Sequence, residues 1–280
     1  MINMPNPEKI RALAIDLDGT LLAPGAVLTD RARGVIHRCI KKGLQIIIAT
    51  GRAVESAERF RAPLGAEGPM IYFNGALIVN MPENELLKIT LLDREKVEFC
   101  ADLSREMNVH YQVFLPGAGD DRRIMLLSER DTPEREMYYK HTGVLSELVD
   151  LKEFLRGHEG CIKSMFLAEP EVQAVLREKL DKTLGNSVYI TQTLRNFLEV
   201  MDADVSKGKA LEFVMKHLSL KNDEVMAFGD EENDIPMLDA AGFSVVPSSA
   251  KDAVKAKADL VTASNAEDGV AAFLEDFFKL

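Results

Sequence analysis

Short apolar runs alternate with stretches of helical period along both ends of this 280-residue chain. Residues 12–15 (ALAI) read as a strand, 30–42 as a helix that Thr29 caps and Gly43 stops, and 44–50 (LQIIIAT) as a second strand. That second run is apolar on both faces, which suits a central strand of a parallel sheet covered by helices on both sides. A helix over 53–61 follows, and 70–79 (MIYFNGALIV) reads as a strand, a turn at Asn74-Gly75 and a return strand. The last third repeats the alternation: helix 209–218, strand 225–228, helix 233–241 stopped by Gly242, strand 243–246, helix 250–257 and a short strand 260–262. Strand, helix, strand in this rhythm means an open parallel sheet.

The middle has another rhythm. From about residue 92 it reads helix, strand 109–115, strand 123–127, helix 132–141, strand 162–167, helix 171–184 and strand 188–193. Strands that follow one another without a helix between them form antiparallel layers. The expected fold is therefore α/β, a doubly wound parallel sheet built from residues 1–83 and 195–280, with an α+β domain inserted at 84–194.

Composition narrows the function. A hydrophobic content of 46% is enough for one large core or two smaller ones. Thirty-four Lys and Arg against 45 Asp and Glu leave a net charge of −11, which repels polyanions and argues against nucleic acid as a partner. The opening MINMPNPEKIRALAID carries two prolines and early charges and no apolar segment long enough for a signal peptide. No later run approaches membrane-spanning length either. A cytoplasmic protein without a membrane partner is expected, and nothing in the pattern specifies an oligomeric state. Cys39, Cys100 and Cys161 are far apart and form no C-x-x-C pair, so they read as ordinary buried thiols. The five histidines show no ligand spacing, and strand alternation lets only one of His110 and Tyr111 face a substrate.

Ligands of open parallel sheets bind beyond the carboxyl ends of the strands, and polar residues collect there in this chain. The first strand runs into Asp16 and Asp18, the second into Thr50-Gly51-Arg52, and a later one into Gly229-Asp230-Glu231-Glu232-Asn233-Asp234. Strand alternation would send Asp16 and Asp18 off on the same side, where two carboxylates repel unless a cation separates them. Asp230 then makes a third oxygen ligand. Few ligands, all oxygen, point to Mg²⁺, which shares its remaining sites with water and phosphate. In VSKGKALEF, Ser206 caps a helix whose first turn carries Lys207 and Lys209, cations at the positive end of a helix dipole, so something negative belongs beside them. Thr50 offers a hydroxyl and Gly51 an unobstructed amide to a phosphoryl oxygen. Gly19 lets the chain turn tightly after the acids. Arg52 fits either a phosphate contact or a pairing with an acid on the following helix.

DLDGTLL, ATGR, SKGKAL and GDEENDIPML, in this order, resemble the four motifs of the haloacid dehalogenase superfamily of phosphohydrolases. The long insert resembles the cap of its Cof-type (subclass IIB) sugar-phosphatase subfamily. The resemblance implies a phosphomonoesterase acting on a small phosphorylated metabolite, with Asp16 as nucleophile and Asp18 as general acid and base. It implies Mg²⁺ held by Asp16, the Asp18 carbonyl and Asp230. Thr50, Gly51, Lys207 and Asn233 would contact the phosphoryl group, and Asp234 would orient Lys207 or a metal-bound water. The cap would close over the core, exclude water and select the leaving group. A phosphotransferase or mutase would use the same aspartyl-phosphate, and a phospho-acceptor signalling module shares the acidic strand ends. One departure stands out: where the family often has Met, Gly, Asn, Ala after the fourth motif, this chain has Val246-Pro247-Ser248-Ser249-Ala250.

Overall fold

A computed structural model describes residues 4–117 and 124–280. Residues 1–3 and Arg123, the first residue of the strand expected at 123–127, lie outside the described residues. The chain divides into two compact units, one of residues 1–88 and 206–280 and one of residues 89–205.

In chain order the first unit begins with β1 (Ala12–Ile15), α1 (Asp30–Lys41), β2 (Gln45–Ile48), α2 (Val54–Leu64), β3 (Gly68–Tyr72), β4 (Leu77–Met81) and β5 (Glu85–Ile89). The second contains β6 (Leu92–Asp93), α3 (Arg94–Glu106), β7 (His110–Pro116), β8 (Ile124–Ser128), α4 (Pro133–Thr142), β9 (Glu147–Leu148) and α5 (Leu151–Leu155). It continues with β10 (Gly160–Cys161), β11 (Lys163–Leu167), α6 (Pro170–Leu184), β12 (Val188–Leu194) and β13 (Phe197–Asp202). The chain returns to the first unit with α7 (Lys207–His217), β14 (Val225–Phe228), α8 (Ile235–Ala240), β15 (Phe243–Pro247), α9 (Asp252–Lys255), β16 (Leu260–Thr262) and α10 (Gly269–Phe278).

The first unit is built on a parallel sheet of order β16-β15-β14-β1-β2. β1 lies between β14 and β2, with Ala14 in register with both Ala227 and Ile47, and all four of its residues are buried. Small and β-branched side chains let helices pack on both faces, as expected of a central parallel strand. α1 shows how the local sequence serves this layer: Ala32, Val35, Ile36 and Cys39 form its buried stripe, and Thr29 Oγ1 accepts a hydrogen bond from Ala32 N at 3.0 Å. A smaller antiparallel sheet, β3-β4-β5, follows β2 through a parallel bridge between Ala49 and Ile71.

The second unit has a six-stranded sheet of order β12-β13-β11-β7-β8-β9, antiparallel except for the β8–β9 pair. Tyr111, Val113, Leu115, Phe166, Leu198 and Val200 pack on one face with Val97, Cys100, Leu176 and Leu180 of α3 and α6. Alternation places His110, Gln112, Phe114, Lys163, Met165 and Glu199 on the other. His110 is thus the one of its pair turned away from the apolar cluster, with Nδ1 at 2.9 Å from Thr132 Oγ1.

The expected boundaries at 84 and 195 move to 89 and 206. The cause is β13, which pattern reading missed: it pairs with both β12 and β11, with Val200 opposite Ile190 and Ser164, so residues 195–205 complete the second unit's sheet. α10, also unforeseen, buries Val270, Ala271, Leu274 and Phe278 in the first unit. All three cysteines are buried and unbridged. No helix among the described residues is long and apolar enough to cross a membrane.

Candidate active site

The site is assembled at the carboxyl ends of β1, β2 and β14 and at the start of α7. Asp16 follows β1 directly and is buried. Its Oδ1 accepts a hydrogen bond from Lys207 Nζ at 2.6 Å, and the same ammonium donates to Asp234 Oδ1 at 2.5 Å. Lys207 is the first residue of α7, and Ser206 caps that helix by accepting from Gly208 N at 3.1 Å. The unfavourable placement of a lysine at the positive helix end is offset by two carboxylates. Asp234 in turn accepts from the backbone N–H of Asp230 and of Glu231, each at 3.0 Å, which fixes the loop after β14. Thr20 Oγ1 donates to Asp230 Oδ1 at 2.7 Å.

Carboxylate oxygens of Asp16, Asp230 and Asp234 lie within 4.8 Å of one another. Burial pushes the Asp16 carboxyl well above the usual carboxylate range; Lys207 opposes the shift, while Asp234 and Asp230 add to it. Burial also pushes Asp230 up to about 7, against the Thr20 hydrogen bond and with the help of Asp234 and Glu231. Burial by itself would lower the Lys207 ammonium, but Asp16 and Asp234 outweigh it and hold it above the ordinary lysine range. One buried ammonium against three carboxylates leaves the cluster short of positive charge. With hard oxygen donors and neither His nor Cys in the group, these residues suit a divalent cation. Gly19 makes the assembly possible: its φ is +81°, and a Cβ there would sit 2.1 Å from Asp230 Oδ2.

Asp18 is placed differently from the expectation. β1 ends at Ile15, so strand alternation does not reach Asp16 and Asp18. The like charges that raise Asp16 come from Asp234 and Asp230. The half-exposed Asp18 carboxylate is held by Arg52, whose Nε and Nη2 donate to its two oxygens at 2.6 Å each. This partner on the first loop is not the acid on the following helix that was one of the expectations for Arg52, whose guanidinium also lies 4.9 Å from the Phe60 ring centre. Thr50 is buried, and its Oγ1 accepts from Arg52 N at 3.2 Å. Asn233 Nδ2 donates to Asn74 Oδ1 at 2.9 Å.

A family model of haloacid dehalogenase-like hydrolases matches residues 13–274. The chain belongs to that family. This hydrolase is 28% identical over 271 residues to the 5-amino-6-(5-phospho-D-ribitylamino)uracil phosphatase YitU of Bacillus subtilis, covering 96% of this chain and 97% of that one. Among solved structures it superposes on TM0651 from Thermotoga maritima with a TM-score of 0.83 at 29% identity, over 95% of this chain and 97% of that one. It also superposes on the subclass IIB sugar phosphatase BT4131 with a TM-score of 0.77 at 25% identity, over 96% and 100%.

Sequence reading overlooked two residues of the hydrolase's site. Thr20, a ligand to Asp230, carried a signal in being a hydroxyl just beyond the acids. Asn74 carried none beyond its place in a turn. Glu231, next to Asp230, pairs with Lys251 at 2.8 Å in an exposed position. In the stretch that departs from the family pattern, Ser248 N donates to Thr262 O at 2.9 Å and Ser249 Oγ to Asn265 Oδ1 at 3.0 Å, so this segment ties down neighbouring loops.

Proposed function

We propose that this family member is a Mg²⁺-dependent phosphomonoesterase that hydrolyses a small phosphorylated metabolite, a sugar phosphate or a nucleotide-derived cofactor, through an aspartyl-phosphate on Asp16. One observation carries the reading: a buried Asp16 carboxylate, oriented by Lys207, stands beside Asp230 and Asp234 in a cluster with fewer positive charges than carboxylates. The substrates named for the two phosphatase relatives, a phosphoribitylaminouracil and a sugar phosphate, support the substrate class.

In this scheme a carboxylate oxygen of Asp16 attacks phosphorus, the ester P–O bond breaks, and Asp18, protonated and released from Arg52 once substrate is bound, gives its proton to the departing oxygen. Asp18 then takes a proton from the water that attacks the phosphorus of the acyl phosphate, and orthophosphate leaves as Asp16 is regenerated. The hydrogen bond from Lys207 leaves the other Asp16 oxygen for the attack, and its charge offsets that of the phosphoryl group. Thr50, Gly51 and Asn233 supply further phosphoryl contacts. Mg²⁺, held by Asp16, Asp230 and the Asp18 carbonyl, would supply the positive charge that allows an anionic nucleophile to meet an anionic ester.

The test is phosphate release from an aryl phosphate and from a panel of phosphorylated metabolites in MgCl₂. Asp16→Asn is expected to lower kcat by ~10³-fold or more. An Asp16→Asn protein as active as the wild type would end the proposal, and transfer to an added acceptor in place of phosphate release would redirect it to a phosphotransferase.

A further inference from the structure

The Asn74-Gly75 turn between β3 and β4 touches three other segments of the site. Asn74 N donates to Thr50 O at 3.0 Å and Phe73 N to Arg52 O at 3.1 Å, so the turn is zipped to the loop after β2. Gly75 lies so close to the start of α7 that a Cβ there would come within 2.4 Å of Ser206 O. The Asn74 side chain reaches Asn233 on the loop after β14. Asn74 adopts a φ of 57°, a left-handed conformation that asparagine tolerates better than other residues with a Cβ.

Asn74 is 1% exposed, yet its Nδ2 has no hydrogen-bond partner among the described residues; the same holds for the shielded Oδ1 of Asn233. A buried polar group left unpaired costs about 1–3 kcal/mol, so native proteins seldom keep one without a use. The Asn74 amide lies flat against the phosphate-loop candidate: a Cβ on Gly51 would be 2.9 Å from Asn74 Oδ1 and 3.4 Å from its Nδ2. Gly51 is therefore a glycine in a place where any side chain would push this amide away.

The partner that Nδ2 lacks must be an acceptor, which excludes a metal cation. Asn233 Oδ1 lacks a donor, which a water or a P–OH group can supply. With the Asn233 Nδ2 to Asn74 Oδ1 hydrogen bond in place, the donor left over belongs to Asn74 and the acceptor to Asn233. We infer that Asn74 is a phosphoryl-binding residue of this enzyme, donating from its side-chain amide to a phosphoryl oxygen held over Thr50-Gly51, with Asn233 as the brace that aims it. The inference rests on the phosphatase reading above and adds to it a residue that none of the four motifs contains.

Two variants test it. Asn74→Gly keeps the left-handed backbone and removes the amide; Asn74→Asp keeps an acceptor for Asn233 but replaces the donor with a negative charge. Orthophosphate binding in MgCl₂, measured by calorimetry, is expected to weaken roughly ten- to a hundred-fold in Asn74→Gly and further in Asn74→Asp, matching the loss of one hydrogen bond to a charged group. KM for an aryl phosphate should rise with it, while Mg²⁺ affinity without phosphate stays within about twofold, since the lost donor serves the anion. Unchanged orthophosphate affinity in both variants, with only a lower Tm, would make Asn74 purely structural and overturn the inference. Wild-type protein that does not bind orthophosphate at all would overturn it too. Wild-type protein that binds orthophosphate through Asn74 but hydrolyses no ester would instead count against the phosphatase reading alone.

Discussion

Two lysines are buried among the described residues, one in each unit, and they meet different buried carboxylates. In the second unit Lys163 Nζ donates to Glu199 Oε1 at 2.7 Å, one charge of each sign, with the ammonium also over the Phe114 ring at 4.7 Å. In the first unit Lys207 faces Asp16 and Asp234, with Asp230 next to them. The first unit's cluster keeps the Asp16 and Asp230 carboxyls above their ordinary range and is poised to take up a cation or a transferable group. Burial and hydrogen-bond lengths are alike in the two settings, so the contrast lies in which carboxylates each ammonium is seen to meet.

The largest test of this contrast replaces each lysine. Lys207→Met is expected to lower kcat for an aryl phosphate by ~10³-fold or more, because Asp16 loses both its orientation and its counter-charge. Lys163→Met should instead act on stability, costing about 3–5 kcal/mol by denaturant unfolding as the buried Glu199 carboxylate loses the hydrogen bond from Lys163. Unchanged stability in Lys163→Met would remove this contrast.

The next effect is on pH. Asp230 titrates at about 7 in the folded state and near 4 when unfolded, so between these values the folded protein holds a proton that the unfolded chain has released. Asp16 is raised in the same direction. Their contribution to the stability of the metal-free protein is therefore complete below about pH 4 and is lost as pH rises through 7. Mg²⁺ needs the ionised carboxylates, so the Tm gain from saturating MgCl₂ should be larger at pH 8 than at pH 6, by about 2–4 °C for each kcal/mol of linkage. An equal gain at both pH values would place the cation elsewhere. The smallest effect belongs to Arg52 and its half-exposed partner: Arg52→Gln should change stability by only ~0–1 kcal/mol, read from the denaturant midpoint. A loss of several kcal/mol would put this pair in the class of the buried ones.

Reading the sequence worked where one strong local pattern decided the outcome. The short, largely apolar runs of β1, β2 and β14 suit buried parallel strands, which puts the acids and glycines after them at one edge of that sheet. Ser206 as a cap for α7 was equally legible. β13 was not, because FLEVMD has little alternation of its own and becomes a strand through pairing with β12 and β11. Nor was Asn74, since an Asn-Gly pair between apolar runs is fully explained by the turn it makes.

The sequence alone determined which chemical groups are present, the order in which strand ends deliver them, and that an inserted α+β segment interrupts a parallel sheet. These follow from periodicity and from residues only a few positions apart. Only the tertiary structure decided which carboxylates share a site: Asp16 joins Asp230 and Asp234, more than 200 residues away, while Asp18, two positions on, turns to Arg52. It also decided that Asn74 reaches Asn233, and that residues 195–205 belong with the insert. Side-chain partners across such distances are set by how whole layers pack and by which buried charges can be paired, and local sequence carries no record of either.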